Sequence, residues 1–142
     1  MSVHQISVFI ENKTGKLAET TKYLAEKNIN LRALSIADTQ DFGILRIICE
    51  NPANAVQVLK DGGYVVAENE VLAVEIKDEP GSLARILTVL ADAGIVVEYT
   101  YAFLSVKKAG DAYMIFRVDD NAEAEKALTT AEIRIADQDS LF

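Results

Sequence analysis

Residues 76–97, IKDEPGSLARILTVLADAGIVV, have a counterpart earlier in the chain, residues 10–31, IENKTGKLAETTKYLAEKNINL, and that pairing decides the fold. Gly15 falls on Gly81, Leu17 on Leu83, Ala18 on Ala84, Leu24 on Leu90, Ala25 on Ala91 and Ile29 on Ile95, an offset of 81 − 15 = 66. Further along, Leu45, Ile47 and Cys49 match Met114, Phe116 and Val118 at 114 − 45 = 69, which puts a three-residue insertion in the second copy around Val106–Asp111. Ala53, Leu59 and Val66 keep this second offset with Ala122, Leu128 and Ile135. Self-similarity on this scale marks one supersecondary unit used twice. The chain of 142 residues therefore reads as two domains, 1–69 and 70–142, meeting near Asn69–Glu70.

The content of one unit follows from its periods. Ile6, Val8 and Ile10 alternate with Gln5, Ser7 and Phe9, and Leu72, Val74 and Ile76 repeat the alternation, the two-residue period of a half-buried strand. Leu17, Thr21, Leu24 and Asn28, matched by Leu83, Leu87, Leu90 and Gly94, recur every three to four residues, as along one helix face. Gly94 and Asn28 stand where a helix C-terminus favours a left-handed residue. A strand follows from Ile29 or Ile95, another at Ile44–Glu50 or Tyr113–Asp119, a helix at Ala53–Lys60 or Ala122–Thr129, and a short strand at Tyr64–Ala67 or Ile133–Ala136. The expected class is α+β: two tandem ferredoxin-like βαββαβ units, each a four-stranded antiparallel sheet with both helices on one face. Leu45, Ile47 and Cys49 face the helices, which leaves Ile44, Arg46, Ile48, Tyr113, Ile115, Arg117 and Phe9 on the opposite side. That side is too apolar for a water-facing sheet, so something is expected to pack on it.

Composition narrows the function. Lys and Arg total 14 against 22 Asp and Glu, a formal charge of −8 that repels a phosphate backbone, so no nucleic-acid partner is expected. One cysteine excludes an intrachain disulfide framework or an iron–sulfur cluster, and one histidine excludes the usual zinc sites, so neither a metal nor a cofactor is called for. The start, MSVHQISVFIENK, lacks a basic segment followed by an apolar core, and no apolar run approaches a membrane span. The chain reads as cytoplasmic, with no membrane contact.

Chemistry is concentrated in the turns joining first strand to first helix: Glu11-Asn12-Lys13-Thr14-Gly15-Lys16-Leu17 and Lys77-Asp78-Glu79-Pro80-Gly81-Ser82-Leu83. Asn12 and Asp78 hold matching positions from which a side chain can turn back on backbone donors and start the helix, and Pro80 suits a first helical turn. The plain reading is a well-capped helix. The functional reading is a small anion site, built from free N–H groups and the positive end of the helix dipole.

The βαββαβ unit with the Asp-x-Pro-Gly-x-Leu turn Asp78–Leu83, and the Gly94–Ile95 pair ending the helix, resembles the ACT domain, and two copies resemble the stand-alone tandem ACT proteins. The first copy departs from the pattern, with Asn12 for the aspartate, Thr14 for the proline and Asn28 for the glycine. The resemblance implies a non-catalytic sensor of a free amino acid, bound where two domains meet. Carried over by position, the turns supply Asn12, Lys13, Thr14, Gly15, Lys16 and Leu17, with Asp78, Glu79, Pro80, Gly81, Ser82 and Leu83. The start of a neighbouring second strand supplies Asn30, Leu31 and Arg32, or Val96, Val97 and Glu98. Backbone amides would take the α-carboxylate, and Asn12 or Asp78 the ammonium. A homodimer is expected to cover the apolar sheet side, and the alternative role is a regulatory subunit acting by contact with an amino-acid-metabolism enzyme.

The other candidates have ordinary readings. His4 is surface, Cys49 a buried thiol, and the acidic stretch Asp119–Glu123 a helix start. Tyr99, Tyr101 and Phe103, in register with Ile95 and Val97, form a packing stripe; Arg46 and Arg117, taken as equivalent strand positions, read as surface ion-pair residues. A register change is expected after Leu31. An acylphosphatase-like enzyme on this plait would want an arginine in the first loop, which neither turn has, and the RNA-binding and copper-chaperone versions lack their aromatic and Cys-x-x-Cys signatures.

Overall fold

The computed structural model describes residues 2–38, 41–103 and 111–142. The expected insertion, apart from Asp111, lies outside them. The chain divides into two compact units, His4–Asn69 and Glu70–Phe142, the latter together with the first residues through Val3.

The first repeat holds β1 (Val3–Glu11), α1 (Lys16–Glu26), β2 (Leu31–Asp38), β3 (Phe42–Cys49) and α2 (Pro52–Asp61), and leads into β4 (Val65–Lys77). β3 pairs antiparallel with β1 on one side and β2 on the other. The register sets Ile6 opposite Ile47 and Val8 opposite Leu45. These side chains close a core with Leu24 of α1 and Ala55 and Leu59 of α2, and Cys49 joins them. Side chains tie β1 to β4: Gln5 Nε2 donates to Asn69 Oδ1 at 3.3 Å, and His4 Nδ1 lies 3.1 Å from Glu68 Oε1. His4 is thus paired rather than bare surface.

The second repeat repeats the plan with α3 (Ser82–Asp92), β5 (Val97–Ala102), β6 (Asp111–Val118), α4 (Asn121–Thr130) and the two-residue β7 (Ile135–Ala136), followed by a short α5 (Gln138–Leu141). Its antiparallel strand order is β7-β4-β6-β5. Leu72, Val74, Phe116 and Val118 from the sheet meet Ile86, Leu90, Ala124 and Leu128 from the helices. Where two separate strands are expected between α2 and α3, the structure has the single 13-residue β4.

Several expectations are corrected by packing. α1 buries Thr20 and Leu24, not the stripe through Leu17 and Thr21; Leu17 is 37% exposed. Thr20 is tolerated inside because its Oγ1 donates to the Lys16 carbonyl at 2.9 Å, leaving no buried donor unpaired. The register change on β2 falls between Leu31 and Ala33, which turns Leu34 and Ile36 to the helix side of an edge strand. An equivalent shift between Val97 and Tyr99 is new. One extra residue reverses every following side chain, so Tyr99 and Tyr101 lie on the face away from the helices, not on that of Val97. Arg117, by the 69-residue offset, is the counterpart of Ile48 rather than of Arg46.

On the face away from the helices, Ile48 and Ile115 are fully buried while Phe9 (42%) and Phe42 (57%) remain exposed. In the second repeat the chain covers part of this face itself, with Phe142 packed edge-on to Phe103, and Phe103 edge-on to Tyr113.

Candidate functional site

Both turns have the same backbone, and it is built on glycine. Gly15 (φ 85°) and Gly81 (φ 89°) are the residues preceding α1 and α3, in a left-handed conformation that a Cβ would strain. Neither helix has a side-chain cap. Asn12 and Asp78 do not close onto the helix amides, and Pro80 stands before the cap rather than within the first turn. Side-chain capping is found instead at α2, where Asn51 Oδ1 accepts from Asn54 N and Pro52 follows, and at α4, where Asp120 Oδ1 accepts from Glu123 N.

Without a cap, helix-start amides stay open. Lys16 N donates to the Lys13 carbonyl and Ser82 N to the Glu79 carbonyl, and the helical ladder starts with Glu19 N on Gly15 O and Arg85 N on Gly81 O. Among the described residues the intervening amides, of Leu17 and Ala18 and of Leu83 and Ala84, have no acceptor. They are aligned with the positive end of the helix dipole, an arrangement suited to a carboxylate.

The side chains around this shared backbone differ. In the first repeat Asn12 Nδ2 donates to Asp38 Oδ1 at 2.7 Å, and Asn12 N donates to the Asp41 carbonyl, which fastens the turn to the β2–β3 connection. Lys13 Nζ lies 2.8 Å from Glu11 Oε2 and Lys16 Nζ 3.4 Å from Glu19 Oε2. The first of these ion pairs holds the Glu11 carboxyl below and the Lys13 ammonium above its ordinary pKa. In the second repeat Asp78 makes no hydrogen bond or ion pair among the described residues. The second turn also opens on a cavity of about 300 Å³ that reaches Glu79 and Ser82.

The second-strand candidates do not join these turns within a repeat. Asn30, Leu31 and Arg32 follow the C-terminus of α1 and Val96, Val97 and Glu98 that of α3, while the turns precede the N-termini. An 11-residue helix separates them, about 16 Å. Asn30 lines a different cavity, of about 510 Å³, with Asn28, Asn51 and Asn54. Val96 N donates to Asp119 Oδ1 at 2.9 Å, and Glu98 pairs with Arg117 at 3.2 Å.

Cys49 is buried, and burial pushes its thiol up to about 11, far from the range of a nucleophilic thiolate. Among the described residues no group of three His, Cys, Asp or Glu side chains could hold a metal ion, and no helix is long and apolar enough to cross a membrane. Sequence reasoning missed Asp38, Arg85 and Arg134. The last two were visible as departures between the repeats, since Arg85 aligns with Glu19 and Arg134 with Val65.

The chain as a whole is similar to known proteins. Protein BT0572 from Bacteroides thetaiotaomicron is 35% identical, with a TM-score of 0.90 over 99% of this chain and 96% of that one. The ligand-free regulatory subunit of aspartate kinase from Thermus thermophilus is 17% identical, with a TM-score of 0.67 over 91% of this chain and 90% of that one, a likeness of fold. No curated protein sequence matches. The family model described as an ACT domain pair matches residues 1–141.

Proposed function

This chain belongs to the ACT domain family, as a pair of ACT domains, and from that premise we propose that it senses a free amino acid. Its architecture is regulatory and non-catalytic. The observation that carries the amino-acid reading is the pair of uncapped helix starts, each preceded by a left-handed glycine and an Asn or Asp. The amides of Leu17 and Ala18, or Leu83 and Ala84, would take the carboxylate, with Asn12 or Asp78 near the ammonium. The remaining turn positions 13–16 and 79–82 shape the approach. Residues 30–32 and 96–98 would complete a pocket only from a neighbouring domain, so the boundary near Asn69–Glu70 is part of the proposal. Regulation requires the amino acid to bind one conformation or assembly more tightly than another.

The same proposal includes a homodimer and a cytoplasmic location. Phe9, Ile44 and Phe42 share one sheet face and are not fully covered, which favours a partner surface there. A buried free thiol suits a reducing compartment. The aspartate kinase relative is by name a regulatory subunit, and a role beside an amino-acid-metabolism enzyme is the second reading, favoured by the same exposed face.

A thermal-shift screen of the full chain against the common free amino acids tests the proposal. A binder present at a hundredfold excess over its Kd stabilises the folded state by about 2.7 kcal/mol. Asn12→Ala or Asp78→Ala is expected to weaken that binding in protein shown to be folded. A confirmed amino-acid binder unaffected by both changes sinks the turn assignment, and a chain that is stabilised by none sinks the sensor reading.

A further inference from the structure

Six charged side chains of the second repeat line one cavity of about 300 Å³: Lys77, Arg85 and Arg134 with positive charge, Glu75, Glu79 and Glu132 with negative. Opposite charges share this small space, yet none of the six forms an ion pair among the described residues. Arg85 is held at the wall, its Nη2 donating to the Ala131 carbonyl at 2.8 Å, with no other side-chain hydrogen bond among the described residues. The Arg134 guanidinium makes no hydrogen bond among the described residues, while its backbone carbonyl accepts from Glu75 N at 2.9 Å. Beneath them lie Ile86 and Ile133, both members of the repeat's core, so the floor is apolar and firmly packed. The volume is at the small end of the range for small-molecule sites. A second cavity, of about 640 Å³, shares Glu75, Glu132, Ile133 and Arg134 and extends the space towards Tyr113 and Ser140.

This arrangement is not a by-product of the fold, because the first repeat lacks it. At the 66-residue offset Lys77, Glu79 and Arg85 become Glu11, Lys13 and Glu19, a reversal of sign at every position. At the 66-residue offset Glu75 aligns with Phe9, and at the 69-residue offset Arg134 becomes Val65 and Glu132 becomes Gly63. The charges the first repeat does carry there are neutralised locally, Glu11 by Lys13 and Glu19 by Lys16. Three cations balanced by three carboxylates give a site with no net charge, which disfavours a multiply charged anion and suits a molecule carrying both signs.

We propose that the second repeat by itself holds a binding site for a small zwitterion, its carboxylate taken by Arg134 and Arg85 and its ammonium by Glu132 and Glu75. The proposal rests on the amino-acid reading above for the class of ligand and goes beyond it in the site: the bound molecule is confined to one repeat and held by this cavity's walls rather than by Asp78 or a neighbouring second strand.

The test uses the full chain and each common free L-amino acid in turn, with the best binder titrated calorimetrically beside its N-acetyl and C-terminal amide derivatives. Loss of binding on removing either charge is expected. Arg134→Ala and Glu132→Gln, at exposed positions, are each expected to weaken the parent amino acid about tenfold or more without changing the melting temperature of the unbound protein. Amino-acid binding that survives both variants within threefold, but falls in Asp78→Ala or Asn12→Ala, overturns the cavity assignment and leaves the turn reading standing. Binding that is insensitive to all four variants, or absent for every amino acid, overturns both.

Discussion

The two repeats share a backbone and a core plan but present different surfaces. Residues 1–69 carry eight acidic and seven basic side chains, a formal charge of −1; residues 70–142 carry fourteen and seven, a formal charge of −7. Leu24 and Leu90 occupy the same fully buried position, and Gly15 and Gly81 the same left-handed one. Around these fixed points the first repeat ties its turn down, through Asn12–Asp38 and Lys13–Glu11, while the second leaves Asp78 and six cavity charges without ion pairs among the described residues. The two units keep the same buried and left-handed positions and differ in the charged side chains around them.

The comparison breaks most severely in the cores. Leu24→Ala and Leu90→Ala, each fully buried, are expected to cost about 2–5 kcal/mol apiece in denaturant unfolding. If one repeat tolerates the change with little loss, the cores are not equivalent. Next is a swap at one packed position. A Cβ on Gly62 would lie 2.6 Å from the Tyr23 ring, whose hydroxyl donates to the Val58 carbonyl at 2.6 Å. The second repeat has Ala131 and Val89 at these positions. Gly62→Ala is therefore expected to destabilise by about 1–3 kcal/mol, and the double variant Gly62→Ala/Tyr23→Val to recover part of that in a double-mutant cycle. Additive losses would mean the ring is not the obstacle.

Gly15→Ala and Gly81→Ala should each cost about 1–2 kcal/mol, because both impose a side chain on a left-handed residue. Chemical denaturation midpoints that differ between the two would show that one turn relaxes. A smaller effect concerns pH. The Cys49 thiol, ordinarily near 9, is raised to about 11 by burial, so the folded chain favours the neutral form. The stability this contributes is fully present below pH 9 and is lost as pH rises towards 11. Alkylation of native protein at pH 8 is expected to be slow and to accelerate on unfolding, and fast native labelling would contradict the burial.

Much of this was legible because it repeats. The 66- and 69-residue offsets, the two-residue period of Ile6–Ile10 and Leu72–Ile76, and the left-handed pair Asn28 (φ 60°) and Gly94 (φ 75°) are local signals, and local signals survive without knowledge of neighbours. The helical stripe was read one residue off in both copies, with Thr20 and Ile86 buried where Thr21 and Leu87 were expected; Thr20 looks like a surface residue until its hydroxyl is seen to donate to the Lys16 carbonyl. The aromatic face of β5 was misjudged because Val97, Tyr99, Tyr101 and Phe103 alternate without a break, so the bulge there, unlike the one after Leu31, leaves no trace in the sequence while it inverts every side chain beyond it.

By itself, the sequence determined the duplication, the order of elements apart from the merging of two strands into β4 and the added α5, the core positions on the first and third strands of each unit, and the two glycine turns, because period and backbone chirality are written residue by residue. Tertiary structure alone decided the rest. It set Asn12 against Asp38 rather than against the helix, and gathered Glu75, Arg85 and Arg134, from three separate stretches of chain, around one cavity. It also left Phe9 and Phe42 uncovered while burying Ile48 and Ile115. These depend on which distant residues meet, and neither spacing nor composition carries that information.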